Sequence, residues 1–312
     1  MKSRNLTWLA LAVIALAMLA GLSLVIGVSD TSSDILAISR VPRTAAAILA
    51  GAALGIAGML MQLLAQNRFV EPSTVGTTES ATLGLLAVSV LAPSTAIGWK
   101  MFVAAATAMA GTAVFLLAIR SIKHRGGFTV PLVGIMLGSV IGAVTTFYAY
   151  QFDMLQSLNA WTLGSFAGTI RGRYELLWLV ALALIVAYIA ADRFTLVGLG
   201  EAYAVNAGLN YRRMEALGLA IVAAVAAIVV TVVGSIPFLG LVVPNLVSLW
   251  MGDNARKSLP WVALFGAIFT LSCDIIGRLI RYPFEMPVGT VVGVVGGAIF
   301  LTMLLRRNRA QV

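Results

Sequence analysis

An all-α integral membrane fold with ten transmembrane helices and both termini on the cytoplasmic side is what this sequence predicts, on three observations. Apolar residues make up 60% of the chain and charged residues only 11%, where a soluble domain carries roughly a quarter charged residues. Charge-free runs recur from end to end at about the 20 residues that one crossing needs. Lysine and arginine fall unevenly between alternate loops. The expected helices cover 6–28, 44–65, 77–97, 100–119, 128–150, 174–191, 214–234, 238–251, 259–277 and 287–305, and 1–312 reads as a single transmembrane domain.

Each element has its own reason. Lys2 and Arg4 precede the apolar run Leu6–Val28. That run exceeds the 7–15 residues typical of a signal-peptide core, and no A-x-A site follows, so it reads as a retained first helix. Arg40 and Arg43 flank Pro42 ahead of the second helix, where Ala47, Gly51, Gly55 and Gly58 share one face. Small residues at that spacing let helices approach closely. The stripe runs on to Gln62, which leaves a pathway-lining role open there. The fourth and fifth helices are separated by a basic loop holding Lys123, His124 and Arg125, in which the histidine reads as solvated. Between the fifth and sixth, WTLGSF reads as a short interfacial or re-entrant helix. Ala216–Gly252 carries no charge and is too long for one crossing. Gly234, Ser235 and Pro237 supply the break, because proline lacks an N–H and glycine frees the backbone. In the last helix Gly289, Gly293 and Gly296 repeat the spacing of the earlier stripe.

Charge orients this bundle. Ten crossings put fourteen of the 21 lysines and arginines on the side of the termini and seven on the other, and the richer side is cytoplasmic. The net charge of +9 is therefore a topology signal, with no nucleic-acid recognition motif beside it. The single cysteine, Cys273, excludes an internal disulfide, and no metal-ligand spacing occurs.

Few residues could carry chemistry. Ionisable groups inside a membrane are costly and mark function or pairing. Asp274 lies near the outer end of the ninth helix with Arg278 at i+4, the spacing of a structural ion pair. Glu79, in TTES, sits near the cytoplasmic boundary where water could reach it. No phosphate-binding loop, zinc-protease motif or nucleophile elbow is present, so no catalytic residue and no metal site is expected. The loop DRFTLVGLGEAYAVNAGLNYRR, 192–213, is too polar to span. It is also longer than the 2–8 residues usual between helices. Two short surface helices with hinges at Gly198, Gly200 and Gly208 would suit docking onto a cytosolic partner.

These segments together resemble the FecCD family of ABC-importer permeases, which carry iron–siderophore complexes, haem or cobalamin. RVPRTAAAILAGAALGIAGMLMQ resembles the family's second helix with its R-x-P-R-T start. NRFVEPSTVGTTESATLG resembles the N-P-L-A-(D/E)-P-x-x-L-G segment that opens the third. GLGEAYAVNAGLNYRR resembles the coupling loop, IPFLGLVVPNLVSL the short eighth helix, and MPVGTVVGVVGGAIFLTMLLRR the last. Phe69 and Val70 depart from that third-helix segment, and Asn245 stands where the family often has histidine.

The resemblance implies a permease in the bacterial inner (cytoplasmic) membrane, paired with a second permease, identical or paralogous. Two cytosolic ATPase subunits would dock on Gly200, Glu201, Ala202, Ala207 and Gly208. A periplasmic or lipid-anchored binding protein would dock on Arg40 and Arg43, with Arg278 a looser candidate, because a guanidinium fork binds carboxylates bidentately. The inner gate maps to Glu71–Thr78 and to 124–129, with Gln62, Asn67, Glu71, Pro72 and Thr129 as pathway or gate residues. No cofactor is expected in this chain; ATP and magnesium would sit on the partner. The implied cargo is an iron chelate, a ferric siderophore by the form F-V-E-P-S-T-V-G, with haem or cobalamin as alternatives. Asp274→Asn alone is expected to leave transport standing. An ion-coupled secondary transporter would want several buried carboxylates or histidines in sequence, and a membrane enzyme a clustered nucleophile, base or metal. Neither pattern is visible.

Overall fold

The computed structural model describes residues 2–27, 33–122 and 129–309. The basic loop with Lys123, His124 and Arg125 lies outside the described residues. We number the helices α1 (Lys2–Val25), α2 (Val41–Ala65), α3 (Thr77–Leu91), α4 (Ile97–Arg120), α5 (Thr129–Gln151), α6 (Leu155–Thr162) and α7 (Trp178–Ile189). They continue as α8 (Ala191–Gly198), α9 (Glu201–Asn206), α10 (Tyr211–Val232), α11 (Leu239–Met251), α12 (Ala255–Leu279) and α13 (Val288–Arg309). A π-helical turn, Leu36–Arg40, leads into α2, and single 3₁₀ turns occupy Pro72–Thr74 and Glu175–Leu177. No strand occurs among the described residues.

A helix built from alanine and glycine has little side chain to hold its neighbours off, so it can be surrounded, and α2 is. Over Leu36–Ala65 the best apolar window is 83% buried, against 6% for the window in α1. α2 packs on α12, α11 and α10, while α1 rests on the outside of α12. A second group, in which α3 packs on α4 and α5, joins the first through α4 and α10.

Seven helices are long and apolar enough to cross a membrane among the described residues. The other three expected crossings fall on different geometry. Glu175–Ile189 and α8 form a pair bent by 66° at Ala190. α3 and α11 have 15 and 13 residues, or roughly 22 and 20 Å at 1.5 Å per residue, short of the ~30 Å hydrocarbon layer. α3 stops at Leu91, before the expected position 97, because the residue preceding Pro93 is driven out of the helical region. α10 and α12 begin earlier than the charge-free runs do. Asn210 and Asn254 cap them by accepting the N–H of Arg213 and Lys257, both at 3.1 Å, so each first turn can carry charge outside the apolar span. The expected break lies where the sequence put it: α10 ends at Val232 and α11 starts at Leu239. WTLGSF contributes the end of α6, and the long polar loop holds two short helices, α8 and α9.

Candidate functional site

At one end of the bundle α1 stops at Val25, leaving its last carbonyls without donors of their own. Two arginines from other elements supply them. Arg40 Nη1 donates to the carbonyls of Leu24 at 2.7 Å and Val25 at 3.0 Å. Arg278 Nη1 donates to those of Ser23 at 2.9 Å and Ile26 at 3.0 Å, and its Nη2 to Ser23 Oγ at 2.6 Å. Positive charge at a helix C-terminus also complements the helix dipole. Asp274 accepts from Arg278 at 2.5 Å and from Arg43 at 2.8 Å, and Arg43 reaches out to Glu285 at 2.7 Å.

The i, i+4 ion pair expected between Asp274 and Arg278 is thus present, within a longer chain of charges. Arg40 and Arg278 turn inward, because the carbonyls of α1 are their partners. Arg43 is 12% exposed, and Glu285, at 32%, is the member nearest solvent. Glu285 and Ser23 were not singled out from sequence. The available signals were a hydroxyl near the end of the first apolar run and the only carboxylate of the 279–287 loop.

The glycine stripe resolves into close helix contacts. A Cβ on Gly51 would strike the Gly266 carbonyl and Thr270, one on Gly55 would come within 3.1 Å of the Val262 carbonyl, and one on Gly58 would strike Gly240. The second stripe does the same against the break: Gly289 faces Ser235 and Gly164, Gly293 faces Pro237 and Gly296 faces Phe238. α2 ends at Gln66, whose left-handed backbone (φ 50°) turns the chain, with Asn67 N–H returning to the Gln62 carbonyl at 3.0 Å.

Where α2 meets the start of α11, three of the expected gate residues come together. Gln62 Nε2 donates to the Gly240 carbonyl at 3.2 Å. Glu71 is 2% exposed, and its Oε1 accepts from Phe238 N–H at 2.9 Å and from Ser73 Oγ at 2.6 Å. A carboxylate there sits at the positive end of the α11 dipole. Phe238 has φ 62°, a left-handed conformation that is strained for an aromatic residue and persists only when surrounding contacts fix it. The Glu71 bond and the seat against Gly296 are those contacts. Pro72 begins the 3₁₀ turn that holds Glu71 in place, and Thr74 Oγ1 closes that turn by accepting from the Glu71 N–H at 3.0 Å. Asn67 Oδ1 accepts from Phe69 N–H at 2.8 Å. Gln62 and Asn67 also border a cavity of about 320 Å³ that Pro244 and Asn254 help to line. Thr129 is the first residue of α5, half-buried.

At the same end as Gln66, α8 and α9 form an elbow. Gly200 adopts φ 112° between them and Gly208 φ 81° after α9, conformations that suit glycine. Ala207 N–H returns to the Tyr203 carbonyl at 3.0 Å, closing α9. Gly200, Glu201 and Ala202 border a cavity of about 620 Å³ with Gln66, Arg212 and Glu215. This is an open polar groove between the end of α2 and the elbow.

A multi-pass membrane protein is defined by this architecture: apolar helices around a small-residue core, one helix broken beside a buried carboxylate, and a polar elbow at one end. The chain belongs to the FecCD transport family, which matches residues 5–306. The petrobactin import system permease protein YclN of Bacillus subtilis is 43% identical, over 95% of this chain and 97% of that one. The corresponding protein FatD of Bacillus anthracis is 44% identical, over 96% and 92%. A solved inward-facing structure assigned to the metal-chelate type of ABC transporter superposes with a TM-score of 0.82, covering 96% of this chain and 99% of that one. At 22% identity it speaks for the fold alone.

Proposed function

We propose that this chain is the permease subunit of an ATP-binding cassette importer that moves a ferric siderophore across the bacterial inner membrane by alternating access. The observation that carries the reading is family membership across nearly the whole chain, with two petrobactin permeases above 40% identity. In this reading the bent pair and the two short helices complete ten crossings, with the lysine-rich and arginine-rich side and both termini cytoplasmic. The chain is one permease domain without a cofactor, and ATP and magnesium act on two partner ATPases. A second permease completes the pathway. The elbow at Gly200, Glu201, Ala202, Ala207 and Gly208 receives the ATPase stroke. The junction of Gln62, Asn67, Glu71 and Pro72, with Thr129 at the foot of α5, transmits it to the gate.

The test is ATP-driven uptake of radio-iron siderophore in proteoliposomes holding the complete transporter. Glu201→Arg is expected to abolish uptake while the complex still assembles. Uptake that needs no ATPase subunit and stops when the proton gradient is collapsed would replace this reading with an ion-coupled transporter.

A binding protein is proposed to dock at the arginine end, centred on Arg43, with Arg40 and Arg278 holding α1 in place beneath it. Its carboxylate would take the position of Glu285, which is 2.7 Å from Arg43 and a third exposed. Glu285→Gln is therefore expected to tighten docking of the loaded binding protein, measured by surface plasmon resonance. Unchanged or weaker docking would remove Arg43 from the interface.

A further inference from the structure

Glu79 lies outside the junction described above and has an unusual setting. It stands in the first turn of α3, its carboxylate against Gly138 of α5, where an added Cβ would come within 3.4 Å of it. Its Oε2 is buried without a hydrogen-bond partner, and no ion pair reaches it among the described residues. Glu79 is among the residues that border a cavity of about 290 Å³. Buried Thr78, Thr82 and Thr145 line the depth of this cavity, and exposed Thr146, Asn159 and Thr162 line its mouth.

The donors and acceptors of this cavity do not balance. A threonine hydroxyl has one proton to give and two lone pairs. Thr82 gives its proton to the Thr78 carbonyl at 2.7 Å and Thr145 to Ile141 at 2.8 Å. Thr146 gives its proton to Gly142 at 2.8 Å and Thr162 to Leu158 at 3.1 Å. Four hydroxyls of the lining residues are therefore left with lone pairs and no proton to give, beside a carboxylate that only accepts when ionised. Thr78, Ser235 and Asn159 keep protons to offer, but none of them bonds the buried Glu79 oxygen. An ionised carboxylate that no countercharge reaches among the described residues, in a lining rich in acceptor oxygens, is favourably complemented by a positive charge that donates or coordinates.

We propose that this cavity is a binding site for a monovalent cation, with Glu79 as its countercharge and the hydroxyls of Thr82, Thr145, Thr146 and Thr162 as its acceptors. A single carboxylate balances one positive charge. The volume leaves room for the water shell of an alkali ion or the methyl group of a small ammonium. The occupant ties the first turn of α3 to α5 and α6, next to Ser235 in the break ahead of α11. The site stands apart from the import reading, because its ligand is neither the cargo nor a partner subunit.

Thermal unfolding of the purified full chain in detergent tests it. Potassium, sodium and methylammonium chloride are titrated in turn, with choline chloride holding ionic strength constant. At least one small cation is expected to raise the midpoint along a saturating curve, as ligands of the folded state do. Saturation by methylammonium alone assigns an ammonium site, and saturation by potassium or sodium a metal-ion site. Glu79→Gln is expected to abolish the saturating rise, and Glu175→Gln, a surface control, to keep it. Thr146→Val at the mouth is expected to raise the half-saturating concentration about tenfold, the equivalent of one charge-assisted contact. No saturating rise with any of the three cations overturns the proposal. An equal rise in Glu79→Gln does so too. If that variant does not fold, an unchanged half-saturation in Thr146→Val is decisive against the site.

Discussion

Asp274→Ala is expected to cost about 3–5 kcal/mol of folded-state stability, because it leaves buried positive charge without its counterion. Asp274 is 3% exposed and accepts from Arg43 at 2.8 Å and Arg278 at 2.5 Å. Arg278 cannot swing away to water, since its other bonds hold the end of α1. Its guanidinium would stay buried and uncompensated in an apolar bundle, where ionisable groups are expensive. Asp274→Asn keeps the shape and one acceptor, so it is expected to fall between wild type and alanine. The exposed pair Arg68–Asp253, with 45% and 60% exposure, gives the contrast: Asp253→Ala should cost at most about 1 kcal/mol. Thermal unfolding in detergent compares the variants directly. Coincident midpoints for Asp274→Ala and Asp253→Ala would mean that the charge chain carries no structural weight. A double replacement, Asp274→Leu with Arg278→Met, is expected to be less damaging than Asp274→Ala, since removing both charges removes the desolvation penalty as well.

That network also shows where sequence reading stops. The i, i+4 spacing of Asp274 and Arg278 is a local signal, and it led to the ion pair. Arg40 donates to the carbonyls of Leu24 and Val25, and every residue offers a carbonyl, so no residue type announces such bonds. An arginine beside a proline near a helix end reads as an outer-surface group until the end of α1 is placed against it. Glu285 reaches Arg43 across 242 residues, a pairing that only the folded bundle creates. The helices themselves were far more legible, because exclusion of charge from the bilayer writes them into the composition. Their ends were less legible, because local causes override the charge-free run: Pro93 stops α3 short of position 97, and the caps Asn210 and Asn254 start α10 and α12 before positions 214 and 259. Glu71 was legible as a gate candidate through its motif. Its bond to the strained Phe238 was not, since Phe238 carries no turn signal of its own. The position of Glu79 in TTES gives no sign that one of its oxygens is buried without a partner between α3 and α5.

Gly58→Ala is expected to be more disruptive than a single methyl group usually is, at about 3 kcal/mol or more, the upper end of the cost of overpacking. The new Cβ would overlap the backbone of Gly240, which no rotamer change can move. α2 and α11 would have to separate, and the Gly240 carbonyl would leave the Gln62 amide that now holds it at 3.2 Å. Gly240 is the second residue of α11, so the displacement passes to Phe238 and to the Glu71 carboxylate bonded to it. Packing and the junction proposed to carry the gate are therefore one contact at this point, and transport should fall together with stability. The reverse change is milder: a Cβ on Gly240 would meet the Leu54 carbonyl at 3.1 Å and Glu71 Oε2 at 3.3 Å, tight distances that a shift of a few tenths of an ångström relieves. Gly21→Ala in α1 supplies the internal control, because nothing lies within 4 Å of its Cβ position. There the usual preference of a helix for alanine, up to about 1 kcal/mol, should leave stability unchanged or improved. The order expected from unfolding midpoints is Gly21→Ala at or above wild type, then Gly240→Ala, then Gly58→Ala. If Gly58→Ala unfolds with wild type, α2 and α11 are not in the contact on which the junction rests.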